Sequence, residues 1–125
     1  MEFDYKRAVV NFWHDLDSKD WDRVESYFHK QAIITWPNTN ETFTPHEYVV
    51  VNRIYPGEWD LTLKDVQMTE KNIVAVVKIT ALDSPISLDL IAFFRFDDGL
   101  ITSLTEYFAE DGAIPAWRVA CRKSL

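Results

Sequence analysis

The second half of the chain alternates apolar and polar residues with the two-residue period of a β-strand, and this feature constrains the fold most. Turn residues divide the alternating region into four stretches. The strongest turn is Asp97-Asp98-Gly99, a sequence typical of a tight hairpin. The predicted strands start near Trp59 and then cover residues 73–82, 86–96 and 100–108. The pattern therefore predicts a long antiparallel meander.

The first half of the chain predicts three helices and one strand. Asp4 and Asp20 are suitable N-caps for the first two helices, and Thr44-Pro45-His46-Glu47 is a capping box that starts the third. A strand over residues 31–36 precedes the third helix, which Pro56-Gly57 ends. The apolar faces of the first two helices comprise Tyr5, Ala8, Val9, Phe12, Trp13 and Leu16, then Trp21, Val24, Tyr27 and Phe28. Helices followed by a meander predict a single α+β domain over residues 1–125.

The charge balance narrows the set of partners. The chain has 13 basic and 20 acidic residues and a net charge of −7, which repels phosphate backbones and anionic membranes. The short basic cluster of Arg118, Arg122 and Lys123 is typical of a solvated helix end. No apolar run approaches the roughly 20 residues of a membrane span, and the first residues are charged. We therefore expect a cytoplasmic protein without a nucleic-acid or membrane partner.

Residues that hold metals or cofactors do not cluster in this sequence. His14, His29 and His46 share no metal-ligand spacing, and the glycines are too isolated to form a phosphate-binding loop. Cys121 is the only cysteine, so it can form no intramolecular disulfide, and no base is placed beside it. We expect no metal and no cofactor.

The strand over residues 88–96 is apolar on both faces. Leu90 and Phe94 lie on one face, while Ile91 and Phe93 lie on the other. A strand that is buried on both sides needs cover on both sides, and the helices can cover only one of them. The sequence therefore predicts a homodimer packed over the outer face of the sheet.

The order of elements and several short motifs resemble the NTF2-like superfamily, in particular its small bacterial SnoaL-like, or polyketide cyclase-like, proteins. The strongest stretch is Phe93-Phe94-Arg95-Phe96-Asp97-Asp98-Gly99-Leu100-Ile101. Thr105-Glu106-Tyr107-Phe108 and Pro115-Ala116-Trp117-Arg118 follow it, and Asp20-Trp21 also fits. The resemblance covers nearly the whole chain. Because the superfamily includes isomerases, cyclases, hydrolases, dehydratases and association domains, it implies a fold rather than one function.

The resemblance implies a cone-shaped, curved antiparallel sheet wrapped around three N-terminal helices, a cystatin/NTF2-like roll with a pocket open at one end. Alternation along each strand decides which side chains point into it. Tyr48 and Asn52 lie one turn apart on the third helix, where they can close the rim. The predicted ligand-binding residues are Trp13, Phe28, Ile34, Trp36, Tyr48, Asn52, Trp59, Leu90, Ala92, Phe94, Leu104 and Phe108.

Glu106 is the candidate catalytic residue. Alternation places it inward between Leu104 and Phe108, where an apolar residue would be expected. A carboxylate in an apolar pocket has a raised pKa, which suits a general acid or base near neutral pH. The alternative is a structural ion pair, for which Arg118 is the candidate partner.

Comparison with catalytic relatives implies that their complete machinery is absent. In ketosteroid isomerases of this fold, a tyrosine, an aspartate base and a buried carboxylic acid act together. The corresponding positions in this chain are Phe12, Trp36 and Ala92. Limonene epoxide hydrolases use an Asp-Arg-Asp set, of which one aspartate matches Glu106. The other two fall on the strand over residues 73–82, where Lys78 is the only charged residue before Leu82.

Two functional hypotheses follow from the sequence. The first is a protein that binds a small, mostly apolar organic compound and acts on it as a metal-independent isomerase, cyclase, dehydratase or hydrolase. In that case Glu106 would be the acid or base, and Tyr48 and Asn52 would orient the substrate. The second is a non-catalytic module for ligand binding or homodimeric association, in which Glu106 is held by a structural partner.

Overall fold

The computed structural model describes residues 2–124 and shows three N-terminal helices packed against one face of a curved sheet. Three helices precede most of the sheet, a short 3-10 turn covers Pro37–Thr39, and one further helix follows the last strand. The helices are α1 (Tyr5–Asp17), α2 (Trp21–Ser26), α3 (Pro45–Ile54) and α4 (Ala116–Lys123). The strands are β1 (Phe28–Trp36), β2 (Glu41–Phe43), β3 (Trp59–Met68), β4 (Ile73–Ala81), β5 (Ser87–Asp97) and β6 (Leu100–Glu110).

The helix starts follow the predicted capping residues. The Asp4 side chain accepts a hydrogen bond from the backbone N–H of Arg7 at 2.9 Å, and Asp20 caps α2 in the same way. Both halves of the capping box form at α3, with Thr44 and Glu47 bonded reciprocally at 3.2 and 2.8 Å. These short-range signals are confirmed because each depends only on residues within one helical turn.

The second helix is shorter than its apolar pattern predicts. It ends at Ser26, and Phe28 already opens β1, three residues before the predicted strand start at Gln31. Phe28 is buried beneath α1, with its ring 5.8 Å from that of Phe12. The apolar pattern alone could not show this, because a buried residue at the junction satisfies a helix and a strand equally well.

The sheet has six strands in the order β2-β1-β6-β5-β4-β3. Consecutive strands from β3 to β6 pair antiparallel, which confirms the predicted meander. However, β1 pairs parallel with β6, so the predicted antiparallel sheet is mixed at this one pairing. A hairpin forces its two strands to run antiparallel, whereas the long connection between β1 and β6 does not fix their direction.

The core lies between α1 and the concave face of the sheet. Phe12 is fully buried, and its ring meets those of Trp13 and Phe94 edge-to-face at 5.1 and 5.2 Å. Val9 and Leu16 complete the buried stripe of α1 that the sequence predicts. This helix therefore fills one part of the concave face.

The C-terminal helix α4 has no buried residue. Its last turn carries Arg122 and Lys123, and the Arg118 guanidinium lies over the Trp117 ring at 5.6 Å. The basic cluster is therefore a solvated helix end, as predicted. No helix within residues 2–124 has the length and apolar character needed to cross a bilayer.

Replacing Gly99 with Ala should destabilise the fold by about 1 kcal/mol, because an L-residue is strained at its backbone angle. Asp98 and Gly99 have φ values of 50° and 80°, so both central turn residues are left-handed. A Cβ atom at Gly99 would also lie 3.4 Å from the Phe3 ring. The control is Gly112→Ala, since nothing lies within 4 Å of a Cβ atom there. Urea unfolding measures both variants, and equal midpoints would contradict this account of the turn.

Candidate functional site

A cavity of about 790 Å³ lies beside the helical core and opens to solvent. Helices α1 and α3 contribute to its wall together with strands from both halves of the sheet. Four of the five tryptophans of the chain line it, namely Trp13, Trp21, Trp36 and Trp59. Cavities of this size and apolar character accommodate small organic ligands.

Eight of the predicted site residues line this cavity. They are Trp13, Trp36, Tyr48, Asn52, Trp59, Leu90, Glu106 and Phe108. They come from α1, α3 and four strands, so residues far apart in the sequence meet around one space. Trp36, Tyr48 and Phe108 form one angled wall, with the Trp36 ring 6.4 Å from that of Tyr48 and 5.4 Å from that of Phe108.

Five predicted pocket residues do not reach the cavity. Phe28, Ile34, Ala92, Phe94 and Leu104 are buried in the core instead. They lie on the inner side of the sheet, where the aromatic side chains of α1 cover them. Phe94, for example, contacts the rings of Phe12 and Trp13. Alternation gives the face on which a side chain lies but not what lies above it.

Several lining residues were not predicted as part of the site. Leu61 and Leu88 share the alternation of Trp59 and Leu90, so a signal for them was present in the sequence. Asn38 had no such signal, because it lies in the 3-10 turn after β1. Its Oδ1 accepts a hydrogen bond from the Phe108 backbone N–H at 2.9 Å and thereby fixes this turn to β6.

Glu106 is almost completely buried in the cavity wall, with 1% of its surface exposed. Its Oε1 accepts a hydrogen bond from Trp36 Nε1 at 2.9 Å, and its Oε2 accepts one from the Tyr48 hydroxyl at 3.2 Å. Ala92 lies directly opposite on β5, so no large side chain competes for the space beside the carboxylate. Each carboxylate oxygen therefore has one neutral donor.

Local structure places both donors. Tyr48 lies one turn into α3, where its backbone N–H bonds to the Thr44 carbonyl at 2.9 Å. The side chain of Asn52 donates to the Tyr48 carbonyl at 2.8 Å. Trp36 is the last residue of β1, and its ring packs against Phe43 on β2 at 4.7 Å. The capping box and the β1–β2 pairing thus determine where the two donors point.

Burial raises the pKa of Glu106 to about 7, although the hydrogen bonds from Trp36 and Tyr48 act in the opposite direction. Burial also raises the pKa of Tyr48 well above its ordinary value, and the nearby Glu106 charge adds to this effect. Glu106 therefore exchanges its proton near neutral pH, while Tyr48 stays protonated and remains a donor.

Glu106 has no ion-pair partner among residues 2–124. The suggested partner Arg118 lies on the solvated helix α4 and contacts Trp117 instead. Lys78 does not line the cavity; it pairs with Asp89 at 3.3 Å and with Asp111. The interpretation of Glu106 as half of a structural ion pair with Arg118 is thus wrong.

Residues 2–124 contain no group of three or more His, Cys, Asp or Glu side chains arranged to hold a metal ion. His46 Nδ1 lies 2.9 Å from Glu25 Oε1 at the surface. His14 and His29 are exposed, as is Cys121.

A family model described as the SnoaL-like domain matches residues 9–104. The chain belongs to the SnoaL-like family. The match begins within α1, includes α2, α3 and most of the sheet, and extends to within two residues of Glu106. No curated protein matches the sequence.

Solved structures share the fold of this SnoaL-like domain at low sequence identity. A candidate ketosteroid isomerase from Kribbella flavida DSM 17836 superposes with a TM-score of 0.79 at 22% identity, over 88% of this chain and 81% of that one. A candidate SnoaL-like polyketide cyclase from Shewanella putrefaciens CN-32 gives 0.70 at 12% identity, over 86% and 91%. An LEH-like epoxide hydrolase from M. tuberculosis gives 0.70 at 16% identity, over 83% and 81%. These similarities show the NTF2-like fold.

Proposed function

We propose that this SnoaL-like domain binds a small, mostly apolar organic molecule in the cavity and that Glu106 transfers a proton to or from it. The observation that carries the proposal is a buried carboxylate in the wall of an apolar cavity, bonded only to neutral donors. Its pKa of about 7 matches the working range of a general acid or base. The reaction would be an isomerisation, cyclisation, dehydration or water addition.

Glu106, its two hydrogen-bond donors and Asn52 have different roles in this proposal. As a base, ionised Glu106 takes a proton from the substrate or from an attacking water, and it returns the proton in a later step. Trp36 and Tyr48 each donate to one oxygen, so they hold the carboxylate in place and stabilise its charge. Asn52 positions Tyr48 through the backbone and presents its own amide at the cavity rim.

The indole N–H of Trp13 has no hydrogen-bond partner among the described residues, which favours a substrate with an oxygen acceptor. It is the buried side-chain polar atom that lacks a hydrogen-bond partner within residues 2–124. An unpaired buried donor costs about 1–3 kcal/mol, so such groups usually have a partner in the working protein. Trp13 also lines the cavity, so its N–H is a candidate donor to a carbonyl or epoxide oxygen.

The direct test is turnover of carbonyl and epoxide compounds by the wild type and by a Glu106→Gln variant. We expect a compound that the wild type converts and the variant does not. If a compound is converted equally by both proteins, Glu106 has no role in proton transfer.

We also propose that two copies of the chain associate through the outer face of the sheet. Homodimeric association is therefore the second candidate function. On this face Ile91 and Tyr107 remain 41% and 46% exposed, and the Phe93 ring packs edge-to-face against Tyr107 at 6.0 Å. Ile91 and Tyr107 come from adjacent strands and are paired directly across the β5–β6 ladder. Together they form an apolar patch at the centre of the sheet, of the kind that protein interfaces cover.

An Ile91→Asp variant should weaken this dimer by about 30-fold or more, because a buried unpaired charge at the centre of an interface costs at least about 2 kcal/mol. Sedimentation velocity over a range of concentrations measures the effect. The matched control is Leu82→Asp, which introduces the same change at a side chain that is 68% exposed and lies after the end of β4. A wild type that sediments as a monomer at micromolar concentration would disprove the dimer.

A further inference from the structure

Glu106 is almost fully buried and, within residues 2–124, has no counter-charge when it is ionised. Its two partners are an indole N–H and a phenol, and no cation lies within ion-pair distance among the described residues. Buried charges in proteins are normally paired, because desolvation without a counter-charge is costly. The cavity that Glu106 lines is the remaining space from which a counter-charge can come.

Aromatic side chains surround Glu106 in the cavity wall. Trp36 and Tyr48 contact the carboxylate directly, and Phe108 packs at 81° against the Trp36 ring. Trp13, Trp21 and Trp59 line other parts of the same cavity. Angled aromatic walls attract organic cations through the negative faces of their rings. Neutral apolar ligands do not gain this cation–π attraction.

The cavity rim adds a negative field. It carries the four carboxylates of Asp17, Glu41, Glu58 and Glu110 and the two cations of Lys19 and Arg53. Lys19 is already paired with Glu58 at 2.9 Å. The rim is therefore net acidic in a chain whose net charge is −7. Such a field raises the local concentration of cations and disfavours anions.

We infer that the apolar ligand of this cavity carries a cationic amine, whose ammonium group lies against Trp36, Tyr48 and Phe108 and pairs with the Glu106 carboxylate. This inference rests on the proposed function and names its ligand class. A bound ammonium also keeps Glu106 ionised at neutral pH, because a nearby positive charge favours the carboxylate form. Glu106 is then mostly in its carboxylate form, which can accept a proton.

The test compares choline with its neutral isostere 3,3-dimethylbutan-1-ol, in which carbon replaces the charged nitrogen. Isothermal titration calorimetry measures both affinities in the wild type and in Glu106→Gln. We expect the ratio of choline affinity to alcohol affinity to fall at least tenfold in the variant. Glu70→Gln removes one exposed carboxylate from a turn outside the cavity, and it should leave the ratio unchanged.

A second variant and a second readout keep the inference testable if Glu106→Gln does not fold. Phe108→Leu keeps an apolar wall but removes one aromatic face, so it should weaken choline several-fold more than the alcohol. Choline binding to the wild type at pH 7 should also release up to about half a proton, since the pKa of Glu106 is about 7. Titrations in two buffers of different ionisation enthalpy measure this release.

The outcomes separate this inference from the proposed function. If the alcohol binds in the cavity and the affinity ratio does not change in Glu106→Gln and Phe108→Leu, the cationic ligand is wrong and the apolar pocket stands. If neither probe binds the wild type, both the ligand class and the pocket proposal are overturned. If the ratio falls in Glu70→Gln as far as in Glu106→Gln, general charge attraction explains the result and pairing with Glu106 is disproved.

Discussion

A Glu106→Gln variant will convert the substrate about 10²- to 10⁴-fold more slowly than the wild type, which is the range that a positioned general acid or base contributes. Glutamine has nearly the same shape as glutamate but cannot accept or release the proton. Its amide oxygen can still accept from Trp36 Nε1, while its NH₂ group can donate to the Tyr48 oxygen. Steady-state kinetics on a compound found by the carbonyl and epoxide screen measures the loss.

The pH profile of the wild type then identifies the direction of proton transfer. If Glu106 is a base, kcat/KM rises with pH up to about 7 and is constant above it, because only the ionised form is active. If Glu106 is an acid, the rate falls over the same range. Tyr48→Phe removes one hydrogen bond that lowers the pKa of Glu106, so this variant should move the profile to higher pH and keep most of the activity.

Glu70→Gln is the control for the turnover experiment, since it removes an exposed carboxylate outside the cavity and should leave kcat/KM unchanged. Circular dichroism of both variants shows whether they are folded. A folded Glu106→Gln protein with wild-type turnover would refute the catalytic role and leave the association role of the sheet face as the remaining candidate.

The same residue should make the stability of the protein depend strongly on pH. In the unfolded chain Glu106 has an ordinary pKa of about 4.5, whereas in the folded state its pKa is about 7 because the group is buried. The folded state therefore binds the proton more tightly, so protonation of Glu106 stabilises the fold. This contribution is fully present below about pH 4.5 and is lost as the pH rises to about 7. The loss amounts to about 3 kcal/mol.

Urea unfolding of wild type and Glu106→Gln at several pH values isolates this contribution. The difference in unfolding free energy between the two proteins should shift by about 3 kcal/mol in favour of the glutamine variant between pH 4.5 and pH 8. Taking the difference removes the contributions of other carboxyls, such as Glu47 and Asp111, whose pKa values are lowered. A constant difference would mean that Glu106 is solvated or has a counter-charge in the folded protein.

The sequence predicts those parts of the fold that depend on neighbouring residues. The Asp4 cap, the Thr44–Glu47 capping box and the Asp98-Gly99 turn all form, because each is determined within a few residues. Alternation also placed Glu106 on the inward face of β6 correctly, since strand parity continues from Leu104 through to Phe108. The type and approximate extent of most elements followed from such signals.

The contacts of the site could not be predicted in the same way. Trp36 and Tyr48 were expected to line the pocket, but nothing in the sequence showed that both would bond to Glu106, from which they are 70 and 58 residues away. Alternation also failed to separate Leu90, which reaches the cavity, from Phe94, which lies under α1. Both distinctions depend on how α1 and α3 pack across the sheet, and periodicity contains no information about packing depth.

The parallel pairing of β1 with β6 determines when the site can form during folding. The Trp36–Glu106 hydrogen bond joins residues 70 positions apart, and the strand pairing beneath it brings Thr35 next to Thr105. Forming a contact of such long range carries the entropic cost of closing the loop between the two residues. A chain that ends before β6 lacks Glu106 and Phe108 of the cavity wall. The cavity wall is therefore completed only when the last strand joins the sheet.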